Sequence, residues 1–105
     1  SRVVNTWKVE KLIENGTDVT SWFSGYYQNY RIEMKKDGTY IESYIGSSSA
    51  DIGSWDFDSK KENILMTPYG SSSAGKSEII KLKSNEMWLR ETDGSDITET
   101  HYVSE

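Results

Sequence analysis

Apolar and polar residues alternate with a period of two along most of the chain, in short runs separated by clusters of Gly, Asn, Asp and Ser. That is the pattern of half-buried β-strands, and helical periodicity is almost absent. Residues 6–14, TWKVEKLIE, predict a first strand that stops at Asn15-Gly16. NYRIEMK sets Tyr30, Ile32 and Met34 on one face against Arg31, Glu33 and Lys35 on the other. KKDG predicts a turn with Gly38 at the position that needs positive φ. TYIESYI continues with Tyr40, Glu42 and Tyr44 alternating against Ile41, Ser43 and Ile45. Further strands are expected over SWDFD, ILMT (closed by Pro68), SEIIKLK, EMWLRET and ITETHYVS. Tyr30, Ile32, Met34, Tyr40, Phe57, Ile80, Leu82, Met87 and Leu89 make the expected barrel lining.

Residues 17–28, TDVTSWFSGYYQ, resist the alternation and predict a long first loop, with a helical turn capped by Thr20 or Ser21. Eight strands joined by hairpin-compatible connections predict an all-β, eight-stranded antiparallel up-and-down barrel, one domain over residues 1–105. An open sandwich is the rival. In such a meander successive connections alternate between the two ends. KKDG, DSKKEN and KSNE fall together at one end as short turns carrying Lys35, Lys36, Lys60, Lys61 and Lys83. The long aromatic segment, GSSSADIG, PYGSSSAGK and TDGSD fall at the other. The near-identical runs GSSSAD (46–51) and GSSSAG (70–75) therefore share an end with Trp22, Phe23, Tyr26 and Tyr27. A scaffold shut at one end and loosely rimmed at the other is a way for small barrels to hold a ligand.

Composition narrows the function. The chain of 105 residues is 34% hydrophobic and 12% aromatic, with four Trp and seven Tyr, so its interior relies on a few large flat side chains. A net charge of −5 argues against nucleic acid, whose phosphates need a basic face. No cysteine is present, which excludes disulfides and thiolate metal sites within the sequence. No apolar run reaches the length of a membrane-spanning helix. The start on SRVVNTW, without Met, suggests a processed or trimmed product, and Asn15-Gly16-Thr17 reads as a turn before it reads as a glycosylation triplet.

Catalytic signals stay at background. His101 is the single histidine, in the last strand, and reads as a surface or satisfied residue. No serine sits in a strand-to-helix elbow, and no phosphate loop is present. Asp93 and Asp96 offer too few fixed ligands for calcium. Neither a cofactor nor a metal is expected, and the chain reads as a non-enzyme. Trp7 reads as a core plug. Glu42, between inward Tyr40 and Tyr44, needs a partner if buried; Arg90 or Arg31 is one solution and a bulge that turns it to solvent is another. The four aromatics of the first loop make either an exposed interaction patch or a lid packed on the barrel.

The segments TWKVEKLIENGTDVT, IEMKKDGTYIES, GSWDFDSKKENILMT, KLKSNEMWLRETD and THYV resemble the small lipocalin-like domains of bacterial extracytoplasmic lipoproteins, within the calycin group of up-and-down barrels. Trp7, followed by DGTY and GSW, carries the resemblance best; the chain has Asn5-Thr6-Trp7 where many members have Gly-x-Trp. The resemblance implies a barrel plugged at its closed end by Trp7, no enzymatic activity, and an exported protein held to a membrane only by a lipid anchor upstream of this chain. Two functions follow. The first is a binding module for a small apolar or aromatic ligand at the open end, contacted by Trp22, Phe23, Tyr26, Tyr27, Tyr44, Trp55 and Tyr69. The second is a protein- or glycan-interaction domain with a filled core and no cavity.

Overall fold

Alternation of large apolar and polar side chains builds the strands that the sequence predicts, and their pairing closes the sheet. A computed structural model describes residues 2–105. The strands are β1 (Asn5–Glu14), β2 (Thr17–Asp18), β3 (Tyr30–Met34), β4 (Thr39–Tyr44), β5 (Ala50–Phe57), β6 (Asn63–Pro68), β7 (Gly75–Leu82), β8 (Glu86–Asp93) and β9 (Asp96–Ser104). Apart from β2, each pairs antiparallel with its sequence neighbour, and β1 also pairs with β9. The result is an eight-stranded antiparallel barrel with one small extra strand, and the closure leaves no long sheet edge exposed.

The extra strand comes from the first loop. Asn15 (φ 50°) and Gly16 (φ 82°) form the two-residue hairpin turn that an Asn-Gly pair favours, so Thr17 and Asp18 fold back on Glu14 and Ile13. A 3-10 turn (Thr20–Trp22) and the single-turn helix α1 (Ser24–Tyr27) follow. Contrary to the expectation, neither Thr20 nor Ser21 caps a helix: the residues preceding the two turns are Val19 and Phe23. The Thr20 hydroxyl instead accepts from Leu12 N at 2.9 Å and donates to Asp18 Oδ1 at 2.6 Å, pinning the loop to β1.

The closed end gathers the turns at residues 35–38, 58–62 and 83–85 and both chain ends. Gly38 (φ 88°) makes the left-handed step of the first. In the second, Asn63 Nδ2 donates to Asp58 Oδ2 at 2.8 Å while Asp58 Oδ1 accepts from Glu62 N and Asn63 N at 2.9 and 3.1 Å, and these bonds, the Asn63 side chain foremost, hold the carboxyl below the usual range. Trp7 is fully buried beneath these turns and donates from Nε1 to Val3 O at 2.9 Å. Glu105 N donates to Thr6 O at 2.9 Å, so the start of β1 and the last residue lie side by side.

The buried core of Val3, Trp7, Ile32, Met34, Tyr40, Ile64, Met87 and Leu89 fills the barrel from this end, and Tyr30 extends it toward the open one. Ile80, expected to line the barrel, does not. The register of β7 against β8 shifts between Ile79 and Lys81, so Ile79 and Leu82 pack against the core while Ile80 is 36% exposed. A β-bulge inserts one residue and reverses the alternation beyond it.

Candidate functional site

The opposite end carries the long connections: the first loop, residues 45–49, residues 69–74 and the turn at Gly94. Both serine runs lie there, beside the aromatic loop, as the strand count predicts. Each run is part loop and part strand, because β5 begins at Ala50 and β7 at Gly75. Between them the wall of β4, β5 and β6 frames an open cleft of about 660 Å³. Tyr40, Glu42, Asp51 and Pro68 line it, with Ala50, Ile52 and Tyr69 at its lip.

Its floor is set by one close approach. Tyr40 pairs with Gly53 across β4 and β5, and a Cβ on Gly53 would fall 2.4 Å from Tyr40 Cε2 and 2.5 Å from Thr67 O. Only glycine lets the phenol ring lie flat against the β5 backbone there. The ring closes the filled half of the barrel and leaves space above it.

Beside the cleft five aromatic rings meet edge to face. Tyr26–Tyr27, Tyr26–Tyr44, Tyr30–Tyr44, Tyr27–Tyr30 and Phe23–Tyr27 have centroids 5.0, 5.7, 5.5, 6.1 and 6.4 Å apart, the arrangement that aromatic quadrupoles favour. Glu42 joins this cluster. Its strand pairs regularly on both sides, so no bulge turns it outward. Neither Arg31 nor Arg90 reaches it: Arg31 pairs with Glu105 and Arg90 with Glu78 and Glu99. The Tyr30 hydroxyl donates to its Oε2 at 2.5 Å instead. Burial, then Tyr102 and the Glu42 bond, hold the Tyr30 hydroxyl far above its ordinary range. Tyr44 is pushed up to about 12, by its Tyr26 hydrogen bond first and burial second. Tyr102 is raised by burial and then by Glu91 and Glu42.

Of the residues expected to contact a ligand, Phe23, Tyr26, Tyr27 and Tyr44 come together in this cluster, and Tyr69 stands at the cleft lip, 91% exposed. Trp22 projects from the same end, 71% exposed. Trp55 is not brought to them. Its backbone N donates to Gly38 O at 2.8 Å and its Nε1 to Lys35 O at 2.9 Å, which places it at the closed end, packed on Phe57. The SWDFD pattern predicts a strand from Ser54, which would set Trp55 beside the serine loop; the strand starts at Ala50 and carries Trp55 down the barrel. Tyr40, Asp51, Ile52 and Pro68 line the cleft but were not singled out as contacts. Their signal was the strand register, which the SSSADIG composition disguised as loop.

His101 lies on the outer face, buried and stacked on Trp88 at 3.8 Å, with Nε2 2.6 Å from Glu99 Oε2. The His101 contact, then Arg90, keeps the Glu99 carboxyl below its usual range against a smaller opposing effect of burial. Lys81 covers the Trp88 ring at 4.5 Å. This network braces the β7–β9 wall away from the cleft.

A barrel of eight antiparallel strands, plugged at one end by a buried tryptophan and open at the other, is a lipocalin-like fold. Solved structures agree. A lipocalin-like protein from Bacteroides uniformis superposes with a TM-score of 0.73 at 9% identity, covering 100% of both chains. A DUF4847-family protein from Bacteroides vulgatus gives a TM-score of 0.67 at 15% identity, over 96% of this chain and 92% of its own. At such identities the likeness is one of fold. No protein-family model matches the sequence, and no curated protein matches it.

Proposed function

We propose that this chain is a non-enzymatic binding module that takes a small apolar or aromatic molecule into the open half of its barrel. One observation carries the reading: a cleft of about 660 Å³ lies over the Tyr40 floor, lined by Pro68, with Ile52 and Tyr69 at its lip and the tyrosine cluster beside it. That volume is in the range of small-molecule pockets, and the walls offer area and ring faces. Titrating the labelled protein with neutral aromatics and short-chain alcohols while following amide NMR shifts tests it. The expected result is a saturable set of shifts at Ala50, Asp51, Ile52 and Tyr69, with the amides around Trp7 unmoved. No shift at these four positions with any member overturns it.

A second reading rests on Trp22 and Tyr26, 71% and 60% exposed on the first loop. They offer flat platforms to a protein or glycan, and shifts confined to residues 20–27 with a glycan array hit favour that role. The module's location outside the cytoplasm, behind a lipid anchor, rests on the sequence resemblance to lipoprotein domains. Recovery of the full-length gene product in the cytosolic fraction contradicts it.

A further inference from the structure

The strand registers settle which charged side chains face the barrel interior. Moving up from inward Trp7, Tyr40, Met87 and Tyr102, the same faces of β1, β4, β5 and β8 carry Glu14, Glu42, Asp51, Glu91 and Asp93 toward the open end. Every Lys and Arg on the barrel strands falls on the opposite, outward face. The ion pairs follow this division. Lys11–Asp18, Arg31–Glu105, Lys81–Glu86 and Arg90 with Glu78 and Glu99 all use outward or loop groups. No cation among the described residues pairs with Glu42, Asp51 or Glu91.

These carboxylates share their space with rings. The Tyr30 hydroxyl donates to Glu42 and the buried Ser77 hydroxyl lies 3.4 Å from Glu91 Oε1. Tyr102 feels both Glu91 and Glu42, and Tyr27 feels Glu14 and Glu91. Glu42 and Asp51 pair directly across β4 and β5 and both line the cleft beneath exposed Tyr69. Two like charges held opposite each other on one wall repel, and although the Tyr30 hydroxyl bonds Glu42, no cationic side chain among the described residues neutralises either carboxylate. The faces of tyrosine rings also favour a positive charge. Cleft, rings and carboxylates thus ask for the same thing from outside.

We propose that the ligand of the open half is an organic cation, an ammonium group carried on a small apolar or aromatic body, with Glu42 and Asp51 as its charge partners and Tyr40 and Tyr69 against its body. The inference rests on the binding reading above and narrows it to one chemical class.

Three probes of matched shape separate the two: 3-phenylpropylamine, 3-phenylpropanol and 3-phenylpropionate, titrated by calorimetry and amide NMR at low salt. The amine is expected to bind about ten-fold tighter than the alcohol, and the carboxylate weaker than either. Raising salt to about 0.5 M should shrink the advantage of the amine and leave the alcohol unchanged. The isosteric variants Glu42→Gln and Asp51→Asn should bring the amine to the affinity of the alcohol, with unchanged melting temperature showing that the barrel persists. Asp51→Asn remains the reporter if Glu42→Gln loosens the Tyr30 contact. Equal binding of amine and alcohol, with shifts at Ile52 and Tyr69, overturns the cation preference and leaves the binding module standing. Binding of none of the three overturns both.

Discussion

At the scale of single residues, the contact of Tyr40 with Gly53 decides where the filled barrel stops. Any side chain at position 53 clashes with both the phenol ring and the β6 backbone at Thr67. Gly53→Ala is expected to cost roughly 1–3 kcal/mol by overpacking, measured by denaturant unfolding. It should also shift the amides of Asp51 and Ile52, because the ring that floors the cleft has to move. A melting temperature equal to that of the parent protein would mean that the ring yields freely and forms no floor. Glu42 makes the companion point. Its partner is neither of the arginines but a phenol on the neighbouring strand, and a hydroxyl bond is enough for a carboxylate that keeps partial contact with water.

Among elements, the first loop divides into a packed half and a projecting half. Tyr27 packs against the core and touches Phe23, Tyr26 and Tyr30, whereas Trp22 stands out in solvent. Trp22→Ser should therefore leave the melting temperature within about a degree, while Tyr27→Ser should lower stability by about 1–2 kcal/mol, part of the loss for a fully buried ring. The reverse order in thermal melts would show that Trp22 anchors the loop. Strand order, the two kinds of turn and the shared end of both serine runs were legible from alternation and Gly/Asn/Asp punctuation. What escaped was non-periodic. The bulges at Glu10 and Ile80 add a residue without any composition signal, so Ile80 read as inward. Ala50 to Gly53 form strand because β4 offers them partners, although their own residues resemble a loop. That override displaced Trp55 from the open end and hid Asp51 and Ile52 from the list of contacts.

For the molecule as a whole, the tyrosines tie stability to alkaline pH. Tyr30, Tyr44 and Tyr102 have folded values above the ordinary 10.0 that each regains on unfolding. Their contribution is complete below pH 10 and drains away as pH rises toward the folded values, because the unfolded chain then releases protons that the barrel retains. Tyrosinate absorbance and circular dichroism recorded together should show these residues ionising only in the step in which the sheet signal collapses. Complete ionisation near pH 10 with an intact sheet signal would contradict the burial of Tyr30 and Tyr102 and the Tyr26 bond of Tyr44. Below that range the barrel stands as one closed sheet, its lower half packed solid and its upper half walled by rings and carboxylates.

The hydrogen bond from Glu105 N to Thr6 O has a geometric corollary. The start of β1 and Glu105 lie at the pole opposite the cleft, so a tag, a surface linker or an adjoining domain attached beyond either one points the mouth away from its support. Copies grafted to a sensor chip through N- or C-terminus would all present the same face to the analyte stream. A peptide bridging the ends would also free residues 71–74 to serve as new termini.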